Sequence, residues 1–187
     1  MPYIEIYLID RKSMRIEYLH KFNADRETVE KLMMSSSYCD FVASRHPMLS
    51  GIEVLANEDR GGKIFRRIQY TIKPFVRKVG PKEVPPGITS WIEESVFDKE
   101  KHLLHFENIP VTDWVRMRIR QSGVAVFEDL PGGKSRRVMR GELHVMLLKF
   151  LGKIVERLLS HQAKKLLDRE FGLFGEFLRQ RGGGKTR

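Results

Sequence analysis

Apolar and polar residues alternate in short runs along most of the chain, as they do in strands that bury one face. The first two runs, residues 3–9 and 15–22, are rich in β-branched and aromatic side chains, which favour strands. Six further strands are predicted over residues 52–57, 63–73, 88–97, 102–109, 114–129 and 136–146. Turn-forming residues separate the runs, most clearly in the segment LPGGKS, so the pattern predicts a series of antiparallel hairpins.

Helical spacing replaces this alternation in two places. After residue 22, Asn23 or Asp25 can cap a short helix, and a second one is predicted over residues 38–44, where Pro47 prevents it from extending. Residues 147–180 are predicted as one long helix without proline. Its apolar residues recur every three or four positions, at Leu147, Leu151, Ile154, Leu158, Leu166, Phe174 and Phe177.

This order of elements predicts an α+β fold in which the last helix covers the apolar face of the sheet. We expect a curved antiparallel sheet of about seven strands to wrap around that helix, with two short helices after the first core strand. One helix does not fill the concave face of a wide, twisted sheet, so a cavity is expected between them. Residues 1–180 are predicted to form a single domain, and the basic, glycine-rich residues 181–187 a disordered tail.

Residues 91–108, WIEESVFDKEKHLLHFEN, form a predicted strand, turn and strand. The element order over residues 15–180 resembles the START-like (helix-grip, SRPBCC) superfamily, and this hairpin resembles the signature of its PRELI family of phospholipid-transfer proteins. The helix after VMRGELHVML resembles that family's C-terminal helix, whereas the family's Pro-rich motif is replaced here by SSSYCDFVASRHP. Similar folds also occur among uncharacterised bacterial proteins. The resemblance implies a lipid cavity and transport between membranes, and it identifies no ligand-site residue.

The composition is that of an ordinary globular protein, with 41% hydrophobic and 31% charged residues. No segment approaches the roughly 20 consecutive apolar residues of a membrane-spanning helix. The N-terminus lacks the positive cluster of a secretory signal, and Cys39 is the only cysteine. A soluble, cytoplasmic protein is therefore expected, with peripheral contact to a membrane as an option.

The formal net charge of +10 would attract nucleic acid, an anionic membrane or an anionic ligand alike. Arg116, Arg118 and Arg120 would suit phosphates if they lay on one strand face, with Arg136 and Arg140 nearby. However, stacking aromatic residues are not interleaved with them, and no helix-turn-helix or zinc-finger spacing occurs. The pattern therefore disfavours nucleic acid, which stays an alternative partner, and it predicts no particular protein partner.

Residues 74–87, PFVRKVGPKEVPPG, contain four prolines and two glycines. This composition excludes a central strand and suits a long surface loop. Apolar and basic side chains side by side could contact an anionic membrane, and an ordinary solvated loop is the alternative. The lid or membrane candidates are Phe75, Val76, Arg77, Lys78 and Val79.

Strand alternation indicates which polar residues share a face with apolar ones, and a buried charge must find a partner or change its ionisation. The polar candidates for the cavity are His20, Arg66, Glu94 and His105. The full predicted lining is His20, Arg66, Ile68, Tyr70, Ile92, Glu94, His105, Phe150, Ile154 and Leu158. The opposite strand faces also carry large apolar residues such as Trp91 and Phe97, so rim positions or structural pairs are the alternative interpretation.

Two functions of the cavity stay open from the sequence. The first is non-catalytic binding or transport of a hydrophobic ligand, such as an anionic lipid whose head group meets cationic groups near the mouth. The second is a cyclase- or hydratase-like enzyme, for which His20, His105 and Glu94 could supply acid–base groups, although they form no recognised motif. The six histidines show no metal-ligand spacing, and no nucleotide-binding glycine loop precedes a helix. Neither a metal nor a cofactor is therefore predicted.

Overall fold

The computed structural model describes residues 4–10, 13–73, 78–79, 82–83, 89–145 and 152–182, with side chains over 15–73, 89–144 and 164–181. The strands are β1 (Ile4–Asp10), β2 (Ser13–Phe22), β3 (Leu49–Arg60), β4 (Lys63–Ile72), β5 (Lys78–Val79), β6 (Lys82–Glu83), β7 (Ser90–Asp98), β8 (Leu103–Pro110), β9 (Ile119–Leu130) and β10 (Lys134–Val145). The helices are α1 (Arg26–Met33), α2 (Ser36–Arg45), α3 (Asp113–Arg116) and α4 (Gly152–Gly182).

Eight strands form one antiparallel sheet in the order β1-β2-β10-β9-β8-β7-β4-β3. The predicted hairpins join β3 to β4, β7 to β8, and β9 to β10. Strand β2, near the start of the chain, pairs with β10, near its end, while β5 and β6 pair separately. The predicted helix-grip α+β fold is confirmed, and the described residues place eight strands in its main sheet.

The predicted strand over residues 114–129 is wrong at its start, because helix α3 occupies Asp113–Arg116 and β9 begins after it. The backbone N–H groups of Val115 and Arg116 donate to the Thr112 carbonyl at 3.0 and 2.9 Å. A helical turn satisfies these groups within the segment, whereas a strand here would need a neighbour for them.

Helix α4 also differs from its predicted bounds. It continues to Gly182, so Arg181 and Gly182 of the predicted tail are helical, while residues 146–151 and 183–187 lie outside the described residues. Within the described residues no helix, α4 included, is apolar enough over a sufficient length to cross a membrane.

A cluster of aromatic rings packs α4 against the concave face of the sheet. Phe174 is 1% exposed, and its ring meets the rings of Phe22 and Tyr38 edge-on at centroid distances of 5.2 and 5.1 Å. Phe177 contacts Tyr38 and Phe41 at 5.5 and 5.1 Å. Since Tyr38 and Phe41 belong to α2, these contacts fix the C-terminal part of α4 against both α2 and the sheet.

Two paired glycines allow the central strands to approach closely. Gly123 of β9 lies opposite Gly141 of β10 and opposite Phe106 of β8. A Cβ atom at Gly123 would lie 2.3 Å from the Arg140 carbonyl oxygen and 2.6 Å from Cζ of Phe106. A side chain at this position would force the neighbouring strands to shift, and such close approach is one reason for glycine inside a strand.

Candidate functional site

A cavity of about 270 Å³ lies between the concave face of the sheet, the short helices α1 and α2, and helix α4. Most of its lining is apolar and includes Ile52, Leu104, Ile119, Ala125, Met139 and Leu143. Four charged side chains, Arg66, Glu93, Arg137 and Glu170, also reach it. Ligand sites have this form, in which a few polar groups interrupt an apolar surface.

The strand register explains which residues face this space. Ile68 of β4 lies opposite Glu93 of β7, and Tyr70 lies opposite Trp91. Because side chains alternate between the two faces of a strand, every second residue of β7, from Trp91 to Phe97, shares the concave face with Arg66 and Tyr70. The inward-facing side chains of β4 and β7 therefore lie side by side and form one wall of the cavity.

Arg66 is buried, with 6% of its surface exposed. Its Nη1 donates to Sδ of Met34 at 3.4 Å and its Nη2 to Sγ of Cys39 at 3.7 Å, while its Nε has no partner among the described residues. Sulfur is a weak acceptor. Burial alone would lower the pKa of Arg66, but the carboxylate of Glu93 acts against burial and the pKa is raised. The guanidinium group is therefore charged and poorly solvated.

Arg137 is equally buried at 6% exposure. It donates from Nη1 to Sδ of Met33 at 3.0 Å and from Nη2 to Nδ1 of His20 at 3.1 Å, and its Nε has no partner within the part of the chain that the structure describes. Burial, followed by the charge of Arg137, lowers the pKa of His20 to about 3. A neutral His20, stacked on Phe171 at 4.4 Å, therefore orients the guanidinium group without neutralising it.

Two carboxyl groups share the cavity with these guanidinium groups without touching them. Among the described side chains, no carboxylate oxygen lies within 4.0 Å of a side-chain nitrogen of Arg66 or Arg137. Glu93 accepts a hydrogen bond from Oγ of Ser95 at 3.1 Å. Burial raises the pKa of Glu170, although the charge of Arg137 opposes the shift. The neutral form of Glu170 is thus favoured relative to an exposed glutamate.

Four predicted cavity residues lie on the concave face. Arg66 and Tyr70 line the cavity, Ile68 is 1% exposed in the sheet between them, and His20 contacts Arg137 behind the lining. The structure therefore brings His20, Arg66, Ile68 and Tyr70 to one side of the sheet.

Ile92, Glu94 and His105 do not line the cavity, and their predicted placement is wrong. In β7 the concave residues are the odd-numbered ones, which leaves Ile92 and Glu94 on the convex face. Glu94 is exposed and forms an ion pair with Arg67 at 3.0 Å. His105 lies opposite Val96 on that same outer face. Glu94 and His105 both line a groove of about 630 Å³ on the convex face, so they supply no acid–base pair inside the cavity.

Several predictions concern residues beyond the described part of the chain. Phe150 and the lid candidates Phe75, Val76 and Arg77 lie outside the described residues. Ile154 and Leu158 belong to α4, and Lys78 and Val79 form β5, but the side chains of these four are not described. Their roles stay predictions.

The sequence reasoning missed Arg137, Glu93, Glu170 and Tyr38 as cavity residues. Arg137 follows another arginine, and only the pairing of β10 with β2 shows which of the two points inward. Glu93 follows from the alternation of β7 once its inner face is known. Glu170 carried a usable signal, since it lies four residues before Phe174 on the apolar stripe of the last helix.

Ion pairs between neighbouring strands occupy the convex face. Arg136 pairs with Glu128 across β10 and β9, and Arg140 of β10 pairs with Glu17 of β2 at 3.1 Å. Arg116, Arg118 and Arg120 do not alternate along one strand as predicted, because α3 and a turn separate the first two from β9. These arrangements lend no support to the nucleic-acid alternative.

No protein-family model matches the chain. A comparison with curated proteins likewise finds no match.

Solved structures do match it. TTHA0849 from Thermus thermophilus is 20% identical with a TM-score of 0.58, and the match covers 86% of this chain and 96% of that one. The Zhui aromatase/cyclase from a Streptomyces species is 12% identical with a TM-score of 0.65, over 93% of this chain and 99% of that one. Norcoclaurine synthase from Thalictrum flavum, as a point mutant with a transition-state analogue, is 14% identical with a TM-score of 0.61, over 91% and 99%. These similarities extend over nearly the whole of each chain, and together with the sheet and its C-terminal helix they show that this chain has the START-like, helix-grip fold.

Proposed function

We propose that this chain binds a compact, largely apolar small molecule in the cavity between its sheet and α4. The observation that carries this proposal is the cavity itself, about 270 Å³ of space with a mainly apolar lining. Protein interiors leave few voids larger than a water molecule, because every void forfeits contacts. A space of this size beside a well-packed aromatic cluster is best explained by a ligand.

The size of the space bears on the kind of ligand. Small-molecule sites enclose about 300–1,000 Å³, so this cavity, at about 270 Å³, is slightly smaller than that range. A molecule with a few rings or one short chain fits it better than a phospholipid with two acyl chains. The fold of norcoclaurine synthase, solved with dopamine and hydroxybenzaldehyde, supports a compact ligand by analogy. Lipid transport, which the resemblance to the PRELI family implies, stays a prediction.

Chemical conversion of the ligand in the same cavity is the alternative function. Glu170, Tyr38 and Tyr70 line the cavity, and burial raises the pKa of each of them. A raised pKa favours the protonated form of each group, which is the form that a general acid needs before it transfers its proton. Ligand binding is the first step of both functions, so one experiment addresses it for both.

We expect N-phenyl-1-naphthylamine, an uncharged aromatic probe that fluoresces in apolar surroundings, to bind at one saturable site. Ala125→Phe should weaken its binding by at least about tenfold, or 1.4 kcal/mol, because Ala125 is 1% exposed and lines the cavity. The matched control is Val124→Phe, since Val124 precedes it on β9 and lines the convex groove. Fluorescence titration measures the affinity of both variants for the probe. Unchanged binding in a folded Ala125→Phe protein would contradict the proposal.

Exposed apolar side chains lie at the end of the sheet beside the cavity. Val111, Trp114 and Met117, which we call the α3 tip, are 40%, 53% and 62% exposed. The tip lies between the end of β8 and the start of β9, next to the cavity residues Asn108 and Ile119. The basic residues of the segment are Arg116, Arg118 and Arg120, and the Arg118 guanidinium lies 4.6 Å from the centre of the Trp114 ring. Apolar side chains flanked by arginine match the surface of an anionic membrane.

We therefore infer that the α3 tip rests on an anionic membrane, where the ligand enters or leaves. The protein should sediment with vesicles of mixed phosphatidylcholine and phosphatidylglycerol, and not with phosphatidylcholine alone. The double variant Trp114→Ser, Met117→Ser should lose this binding, whereas Leu55→Ser, at another exposed apolar residue of 41% exposure, should keep it. Equal sedimentation with both vesicle types would contradict a membrane contact of this kind.

A further inference from the structure

We propose that the ligand is an organic acid and that Arg66 and Arg137 hold its anionic group, a carboxylate, sulfonate or phosphate. The inference rests on the proposed function, because it names the chemical class that the cavity takes. Its starting point is that both arginine side chains are buried with fewer hydrogen-bond acceptors than their N–H groups can use.

The hydrogen-bond inventory of the two arginines is incomplete. Each guanidinium group has five N–H donors in a planar fork. Among the described side chains, Arg66 donates to two sulfur atoms, and Arg137 donates to one sulfur atom and to the imidazole of His20. Both Nε atoms are buried and find no partner in the described part of the chain. A buried charge with unpaired donors destabilises a fold unless an acceptor arrives, and an oxyanion matches the guanidinium fork.

The other ionisable groups around the cavity do not neutralise the two guanidinium groups by direct contact. Glu93 acts on Arg66 from beyond contact distance, and Glu170 acts likewise on Arg137. Burial favours the neutral form of Glu170, and it lowers the pKa of His46 as well as that of His20. Among the described side chains, no carboxylate oxygen lies within 4.0 Å of a side-chain nitrogen of either arginine, so both guanidinium groups lack a direct counter-ion. One anion from the ligand would supply that contact.

The two arginine side chains also face the same region of the cavity. Although Arg66 lies on β4 and Arg137 on β10, both charges act on the Tyr38 hydroxyl and on the Glu170 carboxyl. Both side chains line the same space. The remaining lining, including Leu104, Ile119 and Leu143, is apolar. A molecule with a compact apolar body and one acidic group satisfies both parts of the wall.

The test compares two probes that share one apolar body. 1-Anilinonaphthalene-8-sulfonate is N-phenyl-1-naphthylamine with an added sulfonate, so the difference in their affinities reports the anionic group. We expect the sulfonate to bind the unmodified protein at least about tenfold more tightly, the scale of one charge-assisted contact. Arg66→Met and Arg137→Met should each weaken sulfonate binding by about 10–100-fold more than they weaken binding of the neutral probe. Arg67→Met, at the exposed neighbour paired with Glu94, should change neither.

The outcomes distinguish failure of the anion site from failure of ligand binding in the cavity. If the neutral probe binds in the cavity and the sulfonate binds no more tightly, the anion site is refuted while the proposed function stands. If neither probe binds, both are refuted. The comparison in the unmodified protein does not depend on how the variants fold. Arg66→Lys and Arg137→Lys, which keep the charge but lose the fork, should fall between the unmodified protein and the methionine variants, and equal loss with lysine and methionine would also count against a role for charge.

Discussion

The free energy of unfolding is expected to fall by about 2–3 kcal/mol between pH 7.5 and pH 4.5 because of His20 alone. Burial and the neighbouring Arg137 lower the pKa of His20 from 6.5 to about 3 in the folded protein. Over this range His20 becomes protonated in the unfolded chain but stays neutral in the folded protein. More protons are therefore bound in the unfolded state, and stability is lost as the pH falls below about 6.5.

Urea unfolding at the two pH values measures this effect in matched variants. His20→Gln keeps a hydrogen-bond acceptor beside Arg137 and should lose most of the difference that the histidine causes. His105→Gln, on the exposed convex face, should retain the pH dependence of the unmodified protein. Burial also lowers the pKa of His46, so a smaller dependence of the same sign should persist in His20→Gln. Identical pH dependence in His20→Gln and the unmodified protein would show that His20 is not buried as described.

Gly123→Ala should destabilise the protein by about 1–3 kcal/mol, which corresponds to a fall in Tm of roughly 2–12 °C for a chain of this size. An alanine Cβ at Gly123 would lie 2.3 Å from the Arg140 carbonyl oxygen and 2.8 Å from Cα of Gly141. Both obstacles are backbone atoms, so the strands themselves must move apart. Thermal unfolding followed by circular dichroism gives the shift.

The paired glycine across the sheet provides the control. A Cβ at Gly141 would lie 3.3 Å from the Ser122 carbonyl oxygen and 3.7 Å from Cζ of Phe106, distances that a small adjustment relieves. Alanine also reduces the entropy of the unfolded chain, which offsets part of the strain. Gly141→Ala should therefore change stability by less than about 1 kcal/mol. Equal effects at both positions would argue against the close approach of β9 and β10 at Gly123.

The fold followed from the sequence because its signals are local and agree with one another. Glycine-rich turns separate the strands, and helix α4 carries an apolar stripe without proline. Each hairpin thereby specifies its own pairing, and the single long helix is the natural cover for the sheet. The same local reasoning failed at α3, because a short connection between antiparallel strands carries no sustained period.

The candidate site was predicted only in part because the two faces of β7 and β8 resemble each other. In β7, Trp91 and Phe97 lie on one face, while Ile92 and Val96 lie on the other. Alternation separates these faces without saying which is inner. The answer comes from pairing with β4, where Phe97 lies opposite Ile64. The structure places Arg66 on the concave face, as alternation along β4 predicts, whereas Glu94 and His105 lie on the convex face.

The arginine pair also depended on tertiary structure. Arg66 stood out because it interrupts an apolar alternation, but Arg136 and Arg137 are adjacent in the sequence. Arg136 turns outward to Glu128, and Arg137 turns inward to His20. Two charges from strands on either side of the cavity become one site only when the sheet curves around it, which no local pattern specifies.

The central claim is that the cavity between sheet and α4 holds the ligand, and nuclear Overhauser contacts to a bound probe test it most directly. With N-phenyl-1-naphthylamine bound, we expect contacts from its ring protons to the methyl groups of Leu104, Ile119 and Leu143, which line the cavity. Contacts confined to Val96 and Val124, which line the groove on the convex face, would contradict it.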